Sequence, residues 1–199
     1  APLYPDIDAR IQRMQSLESQ TLRGRRGGPI DTVALSDNGG SRPRIGRYEI
    51  ERELGRGAMG VVYLGIDSRI GREVAIKALS LADEFDGEAL EEVKARFFRE
   101  AEAAGRLSHP NIVTVYDVGE EDDLAYIAMD YLRGEALSQH AREDALLPLE
   151  RVLSIGVHVA EALHYAHEQG VVHRDVKPAN MVLTMDEYEV KVTDFGVAH

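Results

Sequence analysis

A glycine-rich string, Gly55-Arg56-Gly57-Ala58-Met59-Gly60, runs directly into Val61-Val62-Tyr63-Leu64. β-Branched and aromatic residues suit a pleated, half-buried surface, so a strand follows the glycines. A dinucleotide-binding turn of the same Gly-x-Gly-x-x-Gly pattern opens a helix instead. The other common phosphate loop, Gly-x-x-x-x-Gly-Lys-Ser/Thr, is not in the chain. The string therefore predicts a tight link between two antiparallel strands. Without Cβ atoms, its backbone can come close to phosphate oxygens. Taken alone, the string also fits a purely structural glycine turn.

The flanking sequence extends the pattern. Strands are expected over 48–54 and 61–66, then 73–79, 112–118 and 124–129. One helix is expected over 84–107, with Leu90, Val93, Phe97, Ala101 and Ala104 on its apolar face and His109-Pro110-Asn111 ending it. From Glu135 onward the pattern turns helical. Val152, Ile155, Val159, Leu163 and Ala166 recur at helical spacing, and Gly170 reads as a C-terminal cap. A short strand at Val171-Val172 and a hairpin of 181–184 with 189–193 follow. The fold class is α+β: five antiparallel strands with one helix, then the start of a mostly helical part.

Charge divides the chain. Its net charge is −12. Residues 1–46 hold seven arginines against five acids, a net of +2, which leaves −14 on the remainder. An acidic body argues against nucleic acid as a partner, because a phosphate backbone needs a cationic face. There is no cysteine, which excludes disulfides and thiolate metal sites and fits a cytoplasmic protein. No apolar run is long enough to span a membrane, and no secretory signal is visible. Ile7, Ile11, Met14 and Leu17 form a stripe expected on a short helix over 6–22, a candidate for dimerisation or regulatory contact. Residues 23–46 are rich in Gly, Arg, Pro, Ser and Asp and read as a linker, so the folded body is expected to start near Arg47.

Three further strings carry chemistry: Val74-Ala75-Ile76-Lys77, His173-Arg174-Asp175-Val176-Lys177-Pro178-Ala179-Asn180, and Asp194-Phe195-Gly196. Lys77 sits among apolar strand residues, where an ammonium needs an anion. On the helix, Glu100 lies at the edge of the buried face and is the candidate carboxylate partner. Asp175 can accept or orient a hydroxyl proton. Lys177, two residues on, can neutralise charge on a moving phosphoryl group. Asn180 and Asp194 supply oxygen ligands that suit Mg2+. His158, His164 and His167 share a helix but read as surface or packing residues rather than a metal site.

The four strings, in this order, resemble the protein-kinase signature set, and residues 47–199 resemble the N-terminal two-thirds of a eukaryotic-like bacterial Ser/Thr protein kinase. The resemblance implies a small lobe over 47–129, a hinge over 130–134 and a partial large lobe over 135–199. It implies ATP held by Leu54, Gly55, Arg56, Gly57, Ala58, Met59, Gly60, Val61 and Val62, with Ala75, Lys77, Met129, Asp130 and Leu132. Val62 and Ala75 line the adenine side, Met129 guards the rear, and Asp130-Tyr131-Leu132 form the hinge. Catalysis falls to Asp175, Lys177, Lys77 and Glu100, and Mg2+ to Asn180 and Asp194. Lys177 marks the Ser/Thr version, so the expected partner is a protein with a Ser or Thr hydroxyl. The sequence ends at His199, so the activation segment, the Ala-Pro-Glu string and the later helices of that family are expected beyond it. The competing readings are a nucleotide-binding pseudokinase and an inert fragment that acts as an interaction module.

Overall fold

A computed structural model describes residues 42–57, 60–80, 88–121, 124–142, 144–185 and 189–195. Within its first helix, the side chains of residues 88–93, 96 and 100 lie outside that description. The expected helix over 6–22 and most of the expected linker also lie outside it.

Six strands build one antiparallel sheet. They are β1 (Arg44–Ile45), β2 (Tyr48–Gly57), β3 (Gly60–Asp67), β4 (Arg72–Ser80), β5 (Val115–Glu121) and β6 (Leu124–Asp130), in spatial order β1-β2-β3-β4-β6-β5. The sequence suggested five strands and a start near Arg47. The sheet instead begins at Arg44, with Ile45 buried and the Ile50 amide donating to the Pro43 carbonyl at 2.8 Å. A two-residue strand offers no periodicity to read, and it lies in a polar run.

The glycine string closes β2 directly onto β3, with Gly57 opposite Gly60. Further along, Val62 stands opposite Lys77, and Lys77 opposite Ile127; Leu64 stands opposite Ala75, and Ala75 opposite Met129. Cross-strand partners share a face, as do alternate residues on one strand. Val62, Ala75, Lys77 and Met129 therefore line the same side of the sheet.

Helix α1 (Glu88–Gly105) packs Phe97 and Phe98 against Leu79 and Ala125, and buries Ala101 and Ala104. Beyond it, the strand expected from residue 112 starts only at Val115. Ile112 instead makes a parallel bridge to Val192.

The second sheet has order β7-β8-β9: β7 (Gly134–Ala136), β8 (Met181–Thr184) and β9 (Val190–Val192). β7 falls where a helical pattern was expected. Its backbone lies so close to β8 that a Cβ on Gly134 would sit 2.0 Å from the Leu183 carbonyl oxygen, and only glycine admits that approach. A short 3-10 helix (Leu137–Ala141) leads to α2 (Leu149–Glu168). Ile155, Val159, Ala162 and Ala166 of α2 are buried, while Val152, a turn earlier, is half-exposed and Leu163 is only partly covered. The Gly170 amide donates to His167 and the Val171 amide to Ala166, which ends the helix where the glycine predicted. Val171-Val172 forms no strand: Val171 turns into the core and Val172 stays out. One core joins Ala104, Leu107 and Ile112 to α2, β8, β9 and Phe195.

Candidate active site

The glycines of the loop differ in what surrounds them. Gly60 has φ +114°, and a Cβ there would lie 2.1 Å from the Ala78 carbonyl oxygen. Its lack of a side chain is demanded by the neighbouring strand. Among the described residues, nothing lies within 4 Å of where a Cβ on Gly55 or Gly57 would stand. Those residues leave that space open, and it is of the kind a phosphate chain would need. Leu54 is half-buried beside it. Arg56 is exposed and donates to Glu53 at 3.0 and 3.4 Å. Ala58 and Met59 lie outside the described residues.

On the face shared with Val62, Ala75 and Met129, the Lys77 ammonium donates to Asp194 Oδ1 at 2.6 Å. Lys77 is largely buried and Asp194 about one-third exposed. An anion near this lysine was expected; that it is Asp194 was not. The Glu100 side chain lies outside the described residues. Asp130 ends β6 and Leu132 follows it, with Asp130 donating its amide to the Thr114 carbonyl at 2.9 Å.

The catalytic-looking loop is held by its own members. Asp175 Oδ2 accepts from Lys177 Nζ at 2.8 Å and from Asn180 Nδ2 at 3.0 Å, while the same amide nitrogen donates to the Asp175 carbonyl at 2.9 Å. Asp175 Oδ1 and the Asn180 amide oxygen have no partner among the described residues. Lys177 holds the Asp175 carboxyl below the usual carboxylate range; burial opposes this, and Asn180 reinforces it. The group is thus a carboxylate at neutral pH, with one oxygen free to accept.

A second set of bonds ties this loop to Asp194. The Thr193 amide donates to the Asn180 carbonyl at 2.9 Å. His173 is buried and accepts the Asp175 amide at Nδ1, at 3.3 Å. Its Nε2 therefore carries the proton and donates to the Thr193 carbonyl at 2.9 Å. The His173 ring also lies 4.6 Å from the Phe195 ring, centre to centre. Arg174 (φ 66°) and Asp194 (φ 57°) are the two non-glycine residues with left-handed backbone among those described. Such strain costs about 1–3 kcal/mol each and collects where the surroundings over-determine a functional geometry. His173, Thr193 and Phe195 were given no role from sequence; the first and last sit inside the quoted strings, which was the available signal.

The oxygen donors suit a hard cation. Asn180 keeps its amide oxygen unengaged because its nitrogen is committed to Asp175, and Asp194 adds a carboxylate. His158, His164 and His167 build no metal group, and none of three or more His, Cys, Asp or Glu exists among the described residues.

Comparison with known proteins gives a consistent picture. The family described as Protein kinase domain matches residues 48–199. The serine/threonine-protein kinase PrkC of Bacillus subtilis is 44% identical over 153 residues, covering 77% of this chain and 23% of that protein. The serine/threonine-protein kinase PknI of Mycobacterium bovis is 45% identical over 156 residues, covering 76% and 26% respectively. The crystal structure of the Mycobacterium tuberculosis PknI kinase domain superposes with a TM-score of 0.68 at 44% identity, covering 78% of this chain and 62% of that one. The chain thus spans about a quarter of the length of these curated relatives.

Proposed function

This chain belongs to the protein kinase family, and on that premise we propose that the complete protein moves the γ-phosphoryl group of ATP onto a Ser or Thr hydroxyl of a protein substrate. The observation that carries the reading is the run of hydrogen bonds from Lys177 through Asp175 and Asn180 to Thr193, beside Asp194 and its partner Lys77. The relatives' names support Ser/Thr specificity, as does Lys177 at its place in the loop.

Asp175 orients the attacking hydroxyl and takes its proton on Oδ1. Lys177 offsets negative charge gathering on the transferred group. Lys77 meets the phosphates from the sheet face, and Gly55 and Gly57 leave room for them against the backbone. Val62, Ala75 and Met129 pack the base, and the backbone at Asp130 and Leu132 supplies its hydrogen bonds. Asn180 and Asp194 would hold Mg2+, which would supply neutralisation of the phosphate charge. Such positioning and charge neutralisation is the general template of phosphoryl transfer rather than anything peculiar to this chain.

The same reading divides the molecule into a segment before Arg44, suited to regulatory or dimerising contact, and a kinase domain from Arg44 onward. That domain comprises a small lobe to Met129, a hinge over 130–134 and large-lobe residues from Glu135. No described helix is long and apolar enough to cross a membrane. A cytoplasmic site of action is part of the proposal.

The test is Asp175→Asn in the complete protein, assayed with radiolabelled ATP. Transfer is expected to fall by about 10^2- to 10^4-fold, the usual contribution of a positioned acid–base group. ATP affinity should stay near the parent's. Turnover close to the parent's would overturn the assignment.

A further inference from the structure

The hinge is tied to the small sheet by a contact that the signature strings do not contain. β5 carries a bulge: Val115 pairs with Met129 and Asp117 with Ala128, so Tyr116 is the extra residue. Bulges re-aim a side chain, and here the Tyr116 hydroxyl donates to Asp130 Oδ1 at the start of the hinge. From the other side, the Arg72 guanidinium of β4 lies over the Tyr116 ring, 3.5 Å from its centre. The Asp130 amide is fixed at the same place by the Thr114 carbonyl. Burial and the Asp130 carboxylate push the Tyr116 hydroxyl up to about 12, so it remains a donor.

Two further side chains of the hinge reach the same sheet. Tyr131 accepts from Arg52 of β2 at 3.2 Å, and Arg133 pairs with Glu73 of β4 at 2.6 Å. Both contacts are solvent-exposed and contribute little. The Tyr116 contact is half-buried and charge-assisted, which makes it the strong one.

We propose that Tyr116, clamped by Arg72, is a positioning residue for base recognition: it holds Asp130 so that the hinge backbone is set before nucleotide arrives. This deepens the kinase reading and rests on it. A preset hinge binds more tightly because less ordering is left to occur on binding. The effect should concern the base and not the triphosphate, which is met by other elements.

The experiment compares Tyr116→Phe and Arg72→Met with the parent in the complete protein. It measures the Kd of ATP and of inorganic tripolyphosphate, each with Mg2+, together with kcat and KM for ATP. Tyr116→Phe keeps the ring under Arg72 and removes one hydrogen bond to a charged group; it is expected to weaken ATP about fivefold. Tripolyphosphate affinity and kcat at saturating ATP should not change. Arg72→Met should act in the same direction by about twofold, the scale of an exposed cation–π contact. An unchanged Kd for ATP in Tyr116→Phe overturns the proposal. So does an equal loss on both ligands, which would mean general loosening of the sheet. A parent that binds no ATP at all removes the kinase reading itself, an outcome distinct from a variant that matches a binding parent.

Discussion

At the scale of single residues, three glycines in one loop answer to different causes. Gly60 faces the Ala78 carbonyl, whereas no described residue comes within 4 Å of a Cβ placed on Gly55 or Gly57. Gly60→Ala is therefore expected to cost about 2 kcal/mol or more, through left-handed strain and a backbone clash. Gly55→Ala and Gly57→Ala should shift stability by no more than about 0.5 kcal/mol, as exposed sites usually do, yet weaken ATP binding several-fold. Urea melts and an ATP titration on the three variants separate these effects; a Gly57→Ala protein that binds ATP as the parent does would remove the phosphate role. The residue types of this site were legible because Asp175, Lys177 and Asn180 stand at fixed short spacing in one string. What that spacing did not disclose is that Lys177 and Asn180 share a single oxygen of Asp175. Nor could it give Lys77 its partner, Asp194, which lies 117 residues away in the chain. Pairing at that distance is decided by the fold.

At the scale of elements, the small sheet is cross-braced by Arg47. Its Nε donates to Asp67 at the end of β3 at 3.0 Å, and its NH1 group reaches Asp117 on β5 at 2.9 Å. The Tyr48 hydroxyl also donates to Asp117, at 3.0 Å. Asp67 is buried, which pulls its carboxyl up, but the Arg69 amide and the Arg47 guanidinium outweigh this and hold it below the usual range. A carboxyl depressed in the folded state adds stability that is present above its unfolded value, near 3.9, and is lost as pH falls through the folded value. Asp67→Asn should thus cost about 1–3 kcal/mol at pH 7, and the deficit should shrink on acidification. Urea midpoints of variant and parent at pH 7 and in the acid limb decide it; a deficit independent of pH refutes the brace. The longer strands and both helices were legible because each repeats its period several times. β1, β7 and the bulge at Tyr116 were not: β1 lies in a polar run, β7 in a stretch that read as helical, and a bulge is defined only by its pairing with the neighbouring strand.

At the scale of the whole molecule, the first half of α2 shows an apolar face to solvent. Leu149 and Leu153 are 72% and 61% exposed, Val157 one turn further on is also exposed, and so is Leu146 just before the helix. Patches of this kind are uncommon on a free soluble surface. The 199-residue chain is expected to bind an apolar dye, and Leu149→Gln combined with Leu153→Gln to reduce the signal; a dye-silent parent would refute this. Among the described residues, the two sheets meet at the Lys77–Asp194 ion pair and at two backbone junctions. One is the segment 130–134, which leaves β6 and enters β7 at Gly134. The other is the bridge from Ile112 to Val192, reinforced by the Asn111 side chain on the Val190 carbonyl at 2.9 Å. Asp194, two residues beyond Val192, accepts Lys77 from the first sheet. A displacement of either sheet therefore has to be felt by the other through that one carboxylate.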